Sequence, residues 1–151
     1  AARILRGFDD SFFVPHSRYT TTDLETVLRQ PKLDVLATSA EAGLCICASH
    51  DRRQIFLTGH LEYDRDTLKI EYERDRAKGL NTKIPQNYFP DDDPSRVPYY
   101  KWKSHAYLLY GNWLNYYVYQ ATPYDLRDVN KDFLPDRKGD VNEPKTGQNI
   151  C

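Results

Sequence analysis

The segment of residues 55–78 constrains the fold more than any other part of the chain. It contains the apolar run IFLT at 55–58, the run GHLEY at 59–63 and an amphipathic stretch at 64–78. This order predicts a strand, a tight turn and a helix. Because ligands and catalytic groups collect at the carboxyl ends of strands in open α/β sheets, the turn is also the best candidate for a functional site.

Short apolar runs separated by polar turns predict further strands before this segment. A helix is predicted to begin at the capping box formed by Thr22 and Glu25 and to end before Pro31, which cannot continue the hydrogen-bond ladder. The spacing of the apolar runs that follow this helix is typical of a meander. The predicted strands are residues 2–6, 33–38, 44–49 and 54–58.

The helix predicted over residues 64–78 has a recognisable end and a recognisable buried face. Gly79 follows it, and glycine is favoured immediately after a helix. Leu68, Tyr72 and Asp75 fall on one stripe of this helix, so the stripe includes a carboxylate as well as two large side chains.

The last third of the chain is predicted to be irregular, then helical, then disordered. Four prolines exclude a long helix from residues 80–101. Apolar residues recur at helical spacing around most of the circumference of 102–120, which predicts a helix buried in a core or in a subunit contact. Residues 1–134 are therefore expected to form one folded domain, and residues 135–151 a polar, disordered tail.

Composition excludes several classes of protein. The net charge is −1 and lysine and arginine are not clustered, so a nucleic-acid partner is not expected. No apolar run approaches the ~20 residues of a membrane helix, and the first residues lack the apolar core of a signal peptide. These features predict a cytoplasmic protein with no membrane partner.

The three cysteines form neither a zinc motif nor a disulfide framework. Cys45 and Cys47 would share one face of a regular strand, too close in sequence for an unstrained disulfide. We expect both to be buried thiols that act as small apolar groups, as free cysteines commonly do. Cys151 is terminal. Free thiols also fit a reducing, cytoplasmic compartment.

The turn at residues 59–63 carries a histidine and a carboxylate two residues apart, His60 and Glu62. In a nucleophile–histidine–acid triad the acid holds the tautomer and orientation of the imidazole, which moves the protons. This pair has no nucleophile beside it. The alternative interpretation is a structural turn histidine next to a surface acid, which the dipole favours at a helix start.

Two other side chains are candidates for the same site. A serine nucleophile served by His60 is conceivable, but no Gly-x-Ser-x-Gly turn surrounds Ser17, which favours a loop hydroxyl bonded to nearby backbone. The guanidinium of Arg74 can bind a carboxylate through two parallel hydrogen bonds. The alternative is that Arg74 lies on a solvated face of the helix. The acidic run at residues 91–93 lacks the spacing of a calcium loop, so no metal site is predicted.

Five blocks of sequence resemble the homoserine O-acyltransferases of methionine biosynthesis, in order and at matching spacing over residues 2–134. Leu61 departs from the proline that is commoner at its position, a conservative change for the turn. The resemblance covers only the C-terminal half of that family. The blocks are RGFDDSF at 6–12, PHSRY at 15–19, TGHLEYD at 58–64, NYFP at 87–90 and NWLNYYVYQATPY at 112–124.

The resemblance implies an α/β, flavodoxin-like fold of the class I glutamine-amidotransferase type, of which this chain is the C-terminal half. It also implies transfer of a succinyl or acetyl group from acyl-CoA to the hydroxyl of L-homoserine through a cysteine thioester. Acyl-CoA is the co-substrate, and no further cofactor is implied. His60 is then the general base and Glu62 the acid that orients it. Arg74 binds the homoserine carboxylate, and Ser17 lies near the acyl and homoserine groups.

By the same resemblance, the nucleophilic cysteine lies in a missing N-terminal half, and neither Cys45 nor Cys47 matches it. The sequence has no methionine and begins at Ala1 within a predicted strand, which also indicates a fragment. We therefore expect this chain alone to be inactive. The family is often dimeric, so a homodimer that uses the helix from Trp102 is one candidate assembly.

Two other functions remain open at the level of sequence. The first is a different triad enzyme of the same fold, such as an amidotransferase or a cysteine hydrolase. The second is a non-catalytic interaction module, which would bind through the aromatic helix at 102–120 and the irregular segment at 80–101.

Overall fold

A computed structural model describes residues 2–121 of the chain. It is a small α/β structure with one sheet among the described residues. A π-helical segment, Leu114–Tyr119, directly follows the last α-helix, and single 3-10 turns lie at Arg3–Leu5 and Pro90–Asp92. Residues 122–151, which include the predicted tail at 135–151, lie outside the described part. The main elements are α1 (Leu24–Leu28), β1 (Leu33–Ser39), β2 (Gly43–Ser49), β3 (Ile55–Leu57), α2 (Thr67–Ala77) and α3 (Lys103–Trp113).

The predicted meander is confirmed. The strands pair in the order β1-β2-β3, and both pairings are antiparallel. β2 is the central strand, and its residues from Leu44 to Ala48 are buried. Among the described residues the strands pair only in antiparallel fashion, so the parallel sheet of a flavodoxin-like domain stays a prediction.

The expectation that Cys45 and Cys47 share one face of the sheet is wrong, although both are buried free thiols. The register of β1 against β2 shifts on both sides of Ala37, and such an irregularity interrupts the alternation of side chains. Cys45 therefore joins the main core with Ile46, whereas Cys47 joins a smaller cluster.

The strand predicted at residues 2–6 is wrong, because this segment forms the 3-10 turn Arg3–Leu5. Three of its carbonyl groups accept from backbone N–H groups within the turn and just after it, and the other two accept from a side chain rather than from a neighbouring strand. The Asn112 amide donates to the carbonyl of Ile4 at 3.0 Å and to that of Arg6 at 2.8 Å. Ile4 itself is buried in the main core, so the apolar character of the segment reflects burial against α3.

The short helix α1 is present, but its cap is one residue later than predicted. Asp23 is the N-cap, and its carboxylate accepts a hydrogen bond from the backbone N–H of Thr26 at 3.1 Å. Thr22 precedes the cap. An aspartate is a strong N-cap and its charge suits the positive end of the helix dipole, which explains why it displaces the threonine.

Helix α2 has the predicted end and the predicted buried face. Gly79 adopts a φ of +74° just after it, a conformation that glycine reaches without a steric penalty. The helix begins at Thr67, later than the predicted residue 64. Leu68, Tyr72 and Asp75 are its buried residues, so the predicted stripe, including the carboxylate, is confirmed.

The segment 80–101 is irregular as predicted, but it supplies part of the main core. Tyr88, Phe89 and Trp102 are buried there with Leu109 of α3. The core covers only one side of α3, where His105 and Leu109 are buried, and several aromatic groups on the helix are exposed. The subunit contact predicted as the alternative stays a prediction. No helix within residues 2–121 is both long enough and apolar enough to cross a bilayer.

Candidate functional site

The turn that carries His60 is held against the loop at residues 15–19. The backbone N–H of His60 donates to the carbonyl of Pro15 at 2.8 Å. The approach requires glycine at position 59, because a Cβ there would lie 2.4 Å from Cγ1 of Val14 and 2.9 Å from the Pro15 oxygen. Two segments far apart in sequence are thereby brought into direct contact at the predicted site.

His60 and Glu62 form the contact that their spacing predicts. Nδ1 of His60 lies 2.8 Å from Oε1 of Glu62. The side chains are 33% and 53% exposed, respectively, so the pair lies at the surface and not in a dry interior. A carboxylate at Nδ1 favours the tautomer with its proton on that nitrogen, which leaves Nε2 free to accept a proton.

Tyr63 fixes the position of the imidazole. Its ring stacks on His60, with the ring centroids 4.4 Å apart and the planes inclined by 15°. The phenol donates to Oε1 of Glu71 at 2.9 Å, and the indole N–H of Trp102 donates to the Tyr63 carbonyl at 2.8 Å. The base is thus connected through one aromatic residue to α2 and to the core.

Ser17 is one of the groups that influence the pKa of the Tyr63 phenol. Burial raises the pKa of Tyr63 above its ordinary value and the bond to Glu71 adds to this effect, while a hydrogen bond from Ser17 opposes it. Ser17 and His60 are therefore both neighbours of Tyr63. Among residues 2–121 no hydrogen bond joins Ser17 to His60, and the serine has no Gly-x-Ser-x-Gly turn.

Arg74 projects from α2 with its guanidinium held by a neighbouring carboxylate. Its Nε donates to Oδ1 of Asp75 at 2.8 Å, and the phenol of Tyr19 donates to Oδ2 of the same carboxylate at 3.0 Å. Asp75 raises the pKa of Arg74, and Glu71 contributes in the same direction. Glu71 thus lies near both Arg74 and Tyr63, and it connects Arg74 with the residue that stacks on His60.

His16 lies on the other side of the glycine turn. Its Nδ1 is buried and has no hydrogen-bond partner among residues 2–121. Its Nε2 would be 2.9 Å from a Cβ at position 59. Burial lowers the pKa of His16, and the charges of Arg18 and His60 lower it further. A neutral imidazole is therefore favoured at this position.

Neither described cysteine is suited to be the nucleophile. Burial raises the pKa of the Cys45 thiol to about 11, and it also raises the pKa of Cys47. A thiolate is the reactive form of cysteine, so burial disfavours the reactive form of both. Cys45 lines an open groove of about 960 Å³ with His16 and Arg18, but none of the four predicted site residues lines this groove.

The residues missed by the sequence analysis are those that link the predicted ones. Tyr19, Tyr63 and Glu71 were not assigned to the site, and Asp75 was assigned only to a helix stripe. The one signal in the sequence that could have assigned Glu71 and Asp75 to the site was their spacing from Arg74. Glu71 lies three residues before Arg74 on the same helix, and Asp75 one residue after it. Within the described part of the chain, no group of three or more histidine, cysteine or acidic side chains is arranged to hold a metal ion.

Comparisons with known proteins agree in pointing to one family. The model of the homoserine O-succinyltransferase family matches residues 1–124. A homoserine O-acetyltransferase of Acetivibrio thermocellus is 56% identical over 126 residues, which are 83% of this chain and 41% of that protein. One from Geobacillus kaustophilus is 59% identical over 123 residues, which are 82% and 41%.

A third relative is similar to the same extent. A homoserine O-acetyltransferase of Methanomethylophilus alvi is 53% identical over 129 residues, which are 85% of this chain and 42% of that protein. The chain spans about two fifths of the length of the curated relatives it matches. The name of the family refers to a succinyl group and the names of these relatives refer to an acetyl group, so the names differ in the acyl group that is transferred. On the match over residues 1–124, the chain belongs to the homoserine O-succinyltransferase family.

Proposed function

We propose that this chain provides the base and the acceptor-binding groups of an enzyme that transfers a succinyl or acetyl group from acyl-CoA to the hydroxyl of L-homoserine. The observation that carries the proposal is the 2.8 Å contact between Nδ1 of His60 and Oε1 of Glu62. It supplies an oriented imidazole with Nε2 available for proton transfer. The matched family and the relatives' names supply the substrate class.

The reaction proceeds in two steps. A cysteine thiolate, contributed by the part of the relatives that this chain does not span, attacks the thioester carbonyl of acyl-CoA. The acyl–sulfur bond to CoA breaks, CoA leaves as the thiol, and an acyl-enzyme thioester forms. The homoserine hydroxyl then attacks this thioester, and the enzyme thiolate is released. Nε2 of His60 takes the proton from the cysteine and gives it to the departing CoA sulfur. It then takes the proton of the hydroxyl and returns it to the released thiolate, while Glu62 stabilises each imidazolium.

Arg74 and Ser17 bind the acceptor. The guanidinium of Arg74 forms paired, charge-assisted hydrogen bonds with the homoserine carboxylate. Ser17 lies beside Tyr63, which stacks on His60, so its hydroxyl is near the reacting groups. The side chains of His60 and Glu62 are 33% and 53% exposed, so an acceptor molecule can reach them, and so can the part of the enzyme that carries the nucleophile.

The remaining features of the proposal follow the family. The complete domain has the flavodoxin-like, class I glutamine-amidotransferase fold, and the enzyme works in the cytoplasm. It uses acyl-CoA as a co-substrate and needs no further cofactor. A homodimer is the proposed assembly, with the helix from Trp102 at the contact, where Tyr107 is 71% exposed and Trp113 is 45% exposed.

The test uses a chimera in which this chain replaces the matched 126-residue region of the Acetivibrio thermocellus homoserine O-acetyltransferase. We expect acyl transfer to L-homoserine from at least one of acetyl-CoA and succinyl-CoA. His60→Ala should reduce kcat by several orders of magnitude, as removal of a base from a nucleophile–base pair does. His50→Ala, at an exposed turn histidine, is the control and should change kcat by less than about twofold.

Two results would count against the proposal. The first is a folded chimera that transfers no acyl group to homoserine while the parent relative does. The second is a His60→Ala chimera with undiminished kcat, which would favour the interaction module. The 151-residue chain alone should show no turnover, because neither cysteine within residues 2–121 is suited to form the thiolate and the family's nucleophile lies in the part that this chain does not span. Turnover by the chain alone would refute the assignment of the nucleophile.

A further inference from the structure

Asp75 is an unusual residue for the buried face of a helix. It is 8% exposed and shares that face of α2 with Leu68 and Tyr72. Burial of a carboxylate is unfavourable unless hydrogen bonds replace its hydration. An apolar residue would serve the packing better at this position, so the carboxylate has another role.

Both oxygens of Asp75 accept a hydrogen bond, and the two donors come from different parts of the chain. Oδ1 accepts from Nε of Arg74 at 2.8 Å. Oδ2 accepts from the phenol of Tyr19, which lies 56 residues away in sequence, at 3.0 Å. The bond from Arg74 outweighs burial and lowers the pKa of Asp75, so the carboxylate is ionised at neutral pH.

The bond from Nε determines which edge of Arg74 remains for a ligand. A guanidinium can bind a carboxylate either through Nε and one terminal nitrogen, or through both terminal nitrogens. Asp75 occupies Nε, and no acceptor within residues 2–121 bonds Nη1 or Nη2 of Arg74. The Arg74 side chain is 52% exposed, and an exposed arginine that is not held would lose considerable rotamer freedom on binding.

We propose that Asp75 is a positioning residue, which holds Arg74 through Nε so that the two terminal nitrogens bind the carboxylate of the acceptor. Through Tyr19 it also ties the loop that carries Ser17 to the helix that carries Arg74. The inference rests on the proposed function, in which Arg74 binds homoserine, and it concerns affinity for the acceptor rather than chemistry at the thioester.

The kinetic test is Asp75→Asn in the chimera. The asparagine keeps an acceptor for Arg74 but removes the charge, so a charge-assisted hydrogen bond becomes a weaker neutral one and holds Arg74 less firmly. We expect the KM for L-homoserine to rise about tenfold. The kcat should stay within about twofold. Release of CoA in the absence of homoserine, which reports acyl-enzyme formation, should be unchanged. Glu73→Gln is the matched control, since Glu73 is an exposed acid of the same helix, and should leave all three quantities unchanged.

A second substrate separates positioning from general damage to the structure. The amide of L-homoserine lacks the carboxylate, so Asp75→Asn should barely change its KM. Equal losses with homoserine and its amide, or a fall in kcat with an unchanged KM, would overturn the inference. If Arg74→Ala raises the KM for homoserine and Asp75→Asn does not, the inference alone fails. If Arg74→Ala has no effect, the proposed acceptor site fails with it.

A direct measurement on the 151-residue chain does not depend on activity. In ¹H–¹⁵N spectra, the Nε–H of Arg74 should exchange with water more slowly than that of Arg53, whose guanidinium bonds no carboxylate within residues 2–121. Asp75→Ala should abolish this protection and Glu73→Gln should preserve it. An unprotected Arg74 Nε–H in the wild-type chain would refute the inference.

Discussion

Substitution of Gly59 by alanine isolates the contact that joins the loop at 15–19 to the turn of His60. The added Cβ would lie 2.4 Å from Cγ1 of Val14, 2.9 Å from the Pro15 carbonyl oxygen and 2.9 Å from Nε2 of His16. An ordinary contact needs at least about 3.4 Å, so Val14 must move by about 1 Å. A rotamer change of Val14 does not relieve the clash with the Pro15 oxygen, which belongs to the backbone.

The expected cost follows from two terms. Overpacking of this kind costs about 1–3 kcal/mol. Displacement of the loop also breaks the 2.8 Å bond from the His60 N–H to Pro15, worth about 0.5–1.5 kcal/mol. The sum is about 1.5–4.5 kcal/mol, and at about 4 °C per kcal/mol for a chain of this size the melting temperature should fall by about 6–18 °C.

The assay is thermal unfolding of the 151-residue chain, followed by circular dichroism. Gly111→Ala is the control, because Gly111 lies in α3 and a Cβ added there would meet no atom within 4 Å, and alanine stabilises a helix interior by about 1 kcal/mol relative to glycine. A Gly59→Ala chain as stable as the wild type would show that the loop does not press on the turn, and would remove the structural basis of the site.

Two further predictions concern buried titratable groups. Because the pKa of His16 is lowered, the neutral imidazole stabilises the fold above about pH 6.5, and this contribution is lost as the pH falls from there through the folded pKa. The melting temperature of the wild-type chain should therefore fall between pH 7.5 and 5.5 by more than that of His16→Gln, and an equal fall would contradict the burial of His16. Since the pKa of the Cys45 thiol is about 11, only about one part in a thousand is thiolate at pH 8. Iodoacetamide should modify Cys45 far more slowly in the native chain than in the unfolded chain, as peptide mass spectrometry can measure; rapid native labelling would refute its burial.

Local features were predictable because they depend on residues close together in sequence. Proline ends α1 and glycine follows α2, since each imposes its own backbone geometry wherever it occurs. The alternation of apolar runs and polar turns predicted the three strands. The contact between His60 and Glu62 was predictable for the same reason, because a turn brings residues two apart to the same side.

Some local predictions failed because a distant partner decided the conformation. The apolar segment at 2–6 resembles a strand, but its carbonyls at Ile4 and Arg6 accept from the side chain of Asn112. The two cysteines of β2 would share a face in a regular strand, but the register shift against β1 at Ala37 separates them. Neither Asn112 nor the shift can be inferred from the segments themselves.

The sequence by itself determined the three strands of the sheet, the helices, their order and the residue types available for chemistry, because propensity, capping and turn formation act over a few residues. Only the tertiary structure decided which groups meet. The contact of Tyr19 with Asp75, the position of Ser17 beside Tyr63 and the close approach that Gly59 permits all join residues far apart along the chain. Such contacts depend on packing between elements, which no local pattern encodes.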